Sequence, residues 1–372
     1  MSSKTFSSLK KLAQNIRDVL GDKKCYLIFA HNGTGKTRLS CAFKDLGKKA
    51  IPGTGEKTAD TLYYNAFTED LFTWNNDLDG DTQRVLMLNK SSRFFNGIKE
   101  LSMDERIRSY LGIYVDFDFR IDYDEWHVVF SRNVSIRGNT KQEDYIKISR
   151  GEENIFIWCF FLAIAQLAID KDSAYEWVKY IYIDDPISSL DDNNAVAVAC
   201  HLAQLIKKSD MKTVVSTHHA LFYNVMYNEL KRDSTVKRFL SKKTDTDKYV
   251  ARDTGDAPFF HHIELLRQLK KVADSGKLYT YHFNILRNIL EKTASFHGFD
   301  KFSACIKTNE SDLDGAIHLR MTNLLSHGAY SIFEPVEMVD DNKKIFKEIL
   351  EGFLETYKFN SELFDEEQEA QK

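Results

Sequence analysis

The segment Leu27–Thr37, with the sequence LIFAHNGTGKT, constrains the fold of this chain more than any other segment. The apolar residues 25–30 predict a buried strand, and Leu39, Ala42 and Phe43 predict a helix that follows the glycines. A glycine-rich turn between a strand and a helix is typical of a nucleoside triphosphate site, because its N–H groups and the helix N-terminus attract phosphate. The expected phosphate loop consists of Asn32, Gly33, Thr34, Gly35, Lys36 and Thr37.

Two side chains of this loop have predicted roles. Lys36 would reach the β- and γ-phosphates, and the Thr37 hydroxyl would ligate Mg²⁺. The strict motif has glycine at position 30, where this chain has Ala30, but the other constrained positions are filled. A chance glycine-rich turn is the alternative interpretation, and further motifs decide against it.

A second apolar segment, Tyr180–Asp185, ends in two carboxylates. This pattern predicts a strand that delivers Asp184 to the Mg²⁺ shell and places Asp185 where a general base would polarise the attacking water. Two adjacent aspartates often mark only a turn. The interpretation as a magnesium site therefore depends on the presence of the phosphate loop in the same chain.

Two further elements complete the pattern. Ser149 and Gly151 open a long apolar helix and could present N–H groups to a γ-phosphate, and His218 ends a predicted strand from which it could sense that phosphate. In this order the elements resemble the ATPase head of the ABC superfamily, which implies ATP or GTP with Mg²⁺ and a head-to-tail homodimer or higher homo-oligomer. Asp185 stands where that family usually has glutamate, which favours slow hydrolysis, and Arg150 replaces a signature glycine.

The length and the net charge of the chain limit its domain number and its mode of nucleic-acid binding. The 372 residues can form one large core or two domains, and the net charge of −4 means that any nucleic-acid contact must be a local patch. Five cysteines without C-x-x-C spacing argue against disulfides and zinc, so we expect a cytoplasmic protein. The longest apolar run, Ile155–Ile169, contains Gln166 and fits a buried helix better than a membrane span.

The pattern of the chain changes near residue 255. Residues 1–255 predict an α/β P-loop ATPase domain with an antiparallel β subdomain, which includes an alternating strand over Ile113–Tyr123. Its carboxylates are interpreted as a solvated strand face rather than a metal cluster. Residues 256–372 predict an all-α domain, with helices near 260–273, 279–297, 312–327 and 337–358.

One predicted helix of this second domain carries Arg287 and Glu291 four positions apart. By spacing alone they are a surface ion pair. A family resemblance favours a functional role for the pair instead. Six segments together closely resemble PrrC-type bacterial anticodon nucleases: AHNGTGKTRLS, LYYNAFTEDLFTW, ISRGEENIFIW, YIYIDDPISSLDDN, STHHALFYNVMYNEL and LRNILEKTASFHGF. The resemblance implies a C-terminal ribonuclease domain that cuts tRNA in its anticodon loop, using Arg287, Glu291 and His327.

The resemblance also implies further residues and partners. Arg320 and His327 have an R-x6-H spacing similar to HEPN ribonucleases, which makes Arg320 a second-tier candidate and the domain HEPN-like. Cleavage would need no metal and would leave a 2′,3′-cyclic phosphate and a 5′-OH, as a phage defence that blocks translation. Lysine tRNA is the default substrate, although Lys248–Phe260 matches the family poorly, and a type I restriction–modification complex is the implied silencing partner.

Two alternatives stay open at this point. The chain could be a DNA-repair or chromosome-segregation ATPase of the ABC/SMC type, although no sustained heptads predict the long coiled coil of such proteins. It could also be a toxin ATPase whose helical domain is purely structural, in which case Arg287, Glu291 and His327 would be packing residues.

Overall fold

The computed structural model describes most of the chain, in two compact units, Met1–Phe259 and Phe260–Lys372. The described residues are 3–50, 57–77, 80, 82–95, 98–101, 103–136, 139–186, 192–230, 234–243, 248–254, 261–306 and 336–359.

The strands of the first unit are numbered in chain order. They are β1 (Ser3–Phe6), β2 (Cys25–Phe29), β3 (Lys49–Ala50), β4 (Lys57–Thr58), β5 (Thr61–Tyr64), β6 (Phe72–Asn75), β7 (Val85–Leu88), β8 (Asp118–Asp122), β9 (His127–Ile136), β10 (Asn139–Asp144), β11 (Tyr180–Asp184), β12 (Lys212–Thr217), β13 (Thr235–Lys242) and β14 (Tyr249–Asp253).

The helices are numbered in the same way. They are α1 (Leu9–Val19), α2 (Lys36–Leu46), α3 (Met103–Leu111), α4 (Arg150–Ile169), α5 (Asp192–Lys208) and α6 (Ala220–Glu229) in the first unit, and α7 (His261–Ser275), α8 (Tyr281–His297) and α9 (Asp340–Thr356) in the second.

A mixed sheet with the strand order β1-β14-β13-β2-β12-β11-β5 forms the centre of the first unit. The strands from β13 to β5 pair in parallel, whereas β1 and β14 pair antiparallel at one end. Parallel strands have their carboxyl ends at one edge of the sheet, and this is where open α/β sheets bind ligands. The residues that follow β2, β5, β11 and β12 therefore meet at that edge.

The predicted buried helix is α4, which packs Trp158, Phe160 and Phe161 into the main core. Among the described residues it is the one helix whose length and composition would allow it to cross a membrane, but 83% of its apolar window is buried inside the unit. An apolar surface all round the helix is the pattern expected of a core helix.

A second, antiparallel sheet has the strand order β10-β9-β7-β6, with β8 also paired to β9. The predicted strand over Ile113–Tyr123 is too long, because β8 begins only at Asp118. After α3 ends at Leu111, the amides of Tyr114 and Val115 donate back to the Leu111 carbonyl and form a turn. Ile113 is consequently 60% exposed instead of facing the core.

Helices form most of the described part of the second unit, as predicted. Helices α7, α8 and α9 enclose their own apolar core, which includes Leu269, Leu286, Leu290, Phe346 and Phe353. The helix predicted near 312–327 lies outside the described residues.

Candidate nucleotide site and nuclease residues

The glycine-rich loop after β2 has the backbone that its sequence requires. Gly33 and Gly35 have φ angles of 80° and 106°, in the left-handed region that side-chain-bearing residues rarely adopt. Helix α2 begins immediately afterwards at Lys36, with Gly35 as its N-cap. The loop thus leads directly into a helix N-terminus, as a phosphate cradle needs.

Lys36 is the central cation of this loop. Its side chain is 6% exposed, and its Nζ lies 3.2 Å from the Ala30 carbonyl oxygen and 3.1 Å from the Asn32 Oδ1. The same Nζ is 3.1 Å from the Asp185 Oδ2. An ammonium held at the phosphate loop by a carboxylate and loop oxygens is pre-positioned to meet phosphate oxygens.

Asp184, at the end of β11, lies beside the loop through Thr37. The Thr37 hydroxyl donates to the Asp184 Oδ2 at 2.9 Å, and the Ser216 hydroxyl donates to its Oδ1 at 2.6 Å. Burial raises the pKa of the Asp184 carboxyl, although the two hydroxyls act against this. A buried carboxylate with an unfavourable charge is stabilised by a bound cation.

The pKa of the neighbouring Asp185 carboxyl shifts in the opposite direction. Its Oδ1 accepts hydrogen bonds from the His218 amide and lies 2.8 Å from the His218 Nδ1. Burial acts to raise its pKa, but the His218 hydrogen bond and the Lys36 charge outweigh it and lower the pKa. Its backbone has a φ of 50°, so the carboxylate is held by an uncommon conformation at the sheet edge.

The donor set fits a magnesium nucleotide. The Thr37 hydroxyl and the Asp184 carboxylate are hard oxygen ligands 2.9 Å apart, and Mg²⁺ commonly takes one or two such ligands together with phosphates and water. No group of three or more His, Cys, Asp or Glu side chains that could hold a metal by itself occurs in the described parts of the chain. A magnesium ion at this edge would therefore share its shell with the nucleotide.

One residue at this edge was not predicted. Asn65 follows β5 directly, one position beyond the register pair Tyr64–Ile183, and so lies on the same edge as Asp184. It is 4% exposed, and its amide donates to the Tyr63 hydroxyl at 2.9 Å. The parallel pairing of β5 with β11 puts Asn65 there, and no local sequence motif signals that pairing.

Ser149 and Gly151 lie at the start of α4. Ser149 is the N-cap, with a full capping box to Glu152. A Cβ built on Gly151 would meet no atom within 4 Å, so the first turn is open on that side. Glu153 anchors the turn, because its carboxylate accepts from Arg150 at 2.9 Å and from the Trp74 indole of β6 at 3.0 Å.

In the second unit, the Arg287 Nε and the Glu291 Oε1 are 2.7 Å apart on α8. The Arg287 guanidinium also lies over the Phe302 ring, 5.2 Å from its centroid. The side chains are 32% and 47% exposed, which leaves both accessible to a ligand. The other candidates, Arg320 and His327, lie outside the described residues.

The sheet order, the glycine-rich loop and the carboxylates at the sheet edge define a P-loop nucleotide-binding fold of mixed α/β type. A family model described as an AAA domain matches residues 129–355. An Escherichia coli protein named "Anticodon nuclease" is 36% identical over 359 residues, which cover 88% of this chain and 88% of that protein. The chain belongs to the anticodon nuclease family, as the sequence resemblance indicated.

Solved structures give weaker matches. The "SMC head domain from Thermotoga maritima" matches with 12% identity and a TM-score of 0.33, over 62% of this chain and 90% of that chain. A structure titled "RNase-L Inhibitor" matches with 13% identity and a TM-score of 0.31, over 69% of this chain and 38% of that chain.

Proposed function

We propose that this chain is a nucleotide-regulated tRNA anticodon nuclease. The observation that carries the proposal is the identity of 36% to the Escherichia coli "Anticodon nuclease" over 88% of both chains, since it includes both units. The Arg287–Glu291 pair supports it, because its two accessible side chains have the charges that cleavage of a phosphodiester requires.

The first unit would bind ATP or GTP with Mg²⁺. Lys36 would contact the β- and γ-phosphates, Thr37 and Asp184 would hold the ion, and Asp185 would orient water. Bound Mg²⁺ would neutralise phosphate charge during hydrolysis. The open first turn of α4 at Gly151 supports a role for Ser149 and Gly151 as the cap that one subunit places over the nucleotide of another, in a head-to-tail homodimer.

The second unit would cut RNA without a metal. A ribose 2′-OH attacks the adjacent phosphate when one group takes its proton and another protonates the leaving 5′-oxygen. Glu291 and His327 would share these two roles, and Arg287 would hold the non-bridging oxygens as charge develops. The O2′–P bond forms as the P–O5′ bond breaks, which leaves a 2′,3′-cyclic phosphate and a 5′-OH. Arg320 is a second candidate for holding the phosphate.

We further propose, from the family resemblance, that lysine tRNA is the substrate and that a type I restriction–modification complex silences the nuclease in the cytoplasm. The biological role would be antiviral defence by blocking translation.

The test is to incubate the full chain with total tRNA and to map the cut by sequencing the new ends. We expect one cut, in the anticodon loop of one tRNA species. The same tRNA with 2′-deoxyribose at the cut should remain intact, because the nucleophile is missing. Scattered cuts outside anticodon loops, or cleavage of the 2′-deoxy substrate, would contradict the proposal.

A further inference from the structure

The second unit has an open cleft that begins at the candidate nuclease pair. The cleft has a volume of about 420 Å³, within the range of small-ligand sites. It is lined by Glu291, Ala294, Ser295, Phe299, Asp300, Lys301, Phe302 and Ser303. Glu291 also contacts Arg287, so the cleft is continuous with the Arg287–Glu291 pair.

The end of α8 fixes one aromatic ring of this cleft. Gly298 has a φ of 75°, which reverses the chain after His297. The Phe299 amide then donates to the Ala294 carbonyl at 2.8 Å, a helix-ending bond that closes the last turn. These two features fix the position of the Phe299 backbone relative to α8.

The Phe299 ring is held on one side and open to solvent otherwise. Its centroid is 6.0 Å from that of the His297 ring, with an angle of 17° between the planes. The side chain is nevertheless 44% exposed, which leaves part of the ring accessible to a ligand. A ring that is supported on one side and exposed at a cleft is suited to stacking.

Charged side chains of both signs surround the cleft. Lys301 is exposed at its wall, and the Arg287 guanidinium covers the Phe302 ring at 5.2 Å. Asp300 and Glu291 are also present, and Glu291 is already paired with Arg287. Aromatic rings interleaved with cations are the combination that binds single-stranded nucleic acid, through stacked bases and neutralised phosphates.

We propose that this cleft is a nucleobase-stacking subsite, in which Phe299 stacks on an unpaired base of the anticodon loop and Lys301 contacts a neighbouring phosphate. The proposal rests on the nuclease function proposed above and adds the residues that position the RNA. Phe299 is a substrate-positioning residue, and the chemistry stays with Arg287, Glu291 and His327.

The test uses the full chain and the tRNA that the wild type cuts. Phe299→Leu keeps an apolar side chain but removes the ring, so KM should rise roughly tenfold or more, as when one base–aromatic stack is lost. The value of kcat should change much less. Phe299→Tyr restores the ring and should restore KM. Phe296→Leu is the matched control, because Phe296 lies in the last turn of α8, three residues before Phe299, and is 88% exposed but does not line the cleft.

A second readout observes stacking directly. The probe is the anticodon stem–loop of that tRNA, with 2′-deoxyribose at the cut and 2-aminopurine at one loop position at a time. At one position the wild type and Phe299→Tyr should quench the fluorescence, and Phe299→Leu should not. Lys301→Met should lower the slope of log affinity against log salt by about 0.7, the value for one phosphate contact on a single strand.

The outcomes separate the two proposals. If the wild type cuts no tRNA, the proposed function fails and the subsite fails with it. If the wild type cuts tRNA while Phe299→Leu retains its KM and its quenching, only the subsite is overturned. An equal loss in Phe296→Leu and Phe299→Leu would also overturn it, because the effect would then not belong to the cleft.

Discussion

In the first unit, a loop and the ends of two parallel strands bring Lys36, Asp184, Asp185 and His218 together. In the second unit, Arg287 and Glu291 are neighbours only because they are one turn apart on α8. Lys36 is 6% exposed, whereas Arg287 and Glu291 are 32% and 47% exposed. Substitutions in the nucleotide site should therefore change stability as well as activity, while substitutions in the α8 pair should change activity alone.

The largest effect is expected from Lys36→Ala. It removes the ammonium that reaches the phosphates, so nucleotide binding should be abolished. Asp185 keeps its contacts with the backbone amide and the ring of His218, so the protein should still fold. Isothermal calorimetry with a slowly hydrolysed ATP analogue measures the loss. Lys48→Ala is the control, because Lys48 is exposed on the surface, where it pairs with Asp45. Unchanged affinity in Lys36→Ala would refute the phosphate loop.

Arg287→Lys should lower tRNA cleavage by on the order of a hundredfold, because a point charge does not reproduce the fork that holds two phosphate oxygens. The exposed pair contributes only about 0.3–0.5 kcal/mol to the free energy of unfolding, so the melting temperature should hardly change. ATP turnover should persist. If Arg287→Lys also lowered ATP turnover or the melting temperature, the proposed difference between the nucleotide site and the α8 pair would be contradicted.

Gly151→Gln tests the proposed dimer. A Cβ at position 151 meets no atom of the subunit within 4 Å, so folding and binding of nucleotide to the same subunit's loop should be retained. ATP-dependent association should weaken by about tenfold, since one imperfect interface contact typically costs 1–2 kcal/mol. Ser149→Thr, which keeps the N-cap, serves as the control. Light scattering measures association. Equal association of Gly151→Gln and the wild type would exclude this turn from the interface.

The smallest expected effect is on stability: the charges of the adjacent Asp184 and Asp185 should change the free energy of unfolding in opposite directions. The raised pKa of Asp184 means that its ionised form costs stability at neutral pH, a cost that disappears as pH falls through that pKa. The lowered pKa of Asp185 means that it stabilises the fold above its ordinary pKa, and that this is lost as pH falls through the lowered value.

Without nucleotide at neutral pH, Asp184→Asn should therefore raise the melting temperature by a few degrees and Asp185→Asn should lower it. Differential scanning fluorimetry on both variants checks the signs. Destabilisation by both variants would show that the hydroxyl contacts of Asp184 outweigh its burial.

The parts of this account that were predictable from sequence are local ones. Apolar periodicity and the two loop glycines specify β2, the phosphate loop and α2 over Cys25–Leu46, because strand, turn and helix depend on neighbouring residues. The place of Asn65 beside Asp184 depends on the pairing of β5 with β11, which are more than a hundred residues apart in the chain. The contact of Lys36 with Asp185 depends on the same sheet order, and so could not be deduced from spacing.

The central claim is that Arg287, Glu291 and His327 cut RNA by attack of the ribose 2′-OH, without a metal at the cut. The chemical ends of the products test it most directly. Removal of Mg²⁺ is less direct, because Mg²⁺ also belongs to the proposed nucleotide site of the first unit. Mass spectrometry of the untreated fragments identifies the ends, and labelling of a separate sample by polynucleotide kinase checks for the 5′-OH. We predict a 2′,3′-cyclic phosphate on one fragment and a 5′-OH on the other. A 5′-phosphate with a 3′-OH would mean that water attacked the phosphate, and would contradict the account.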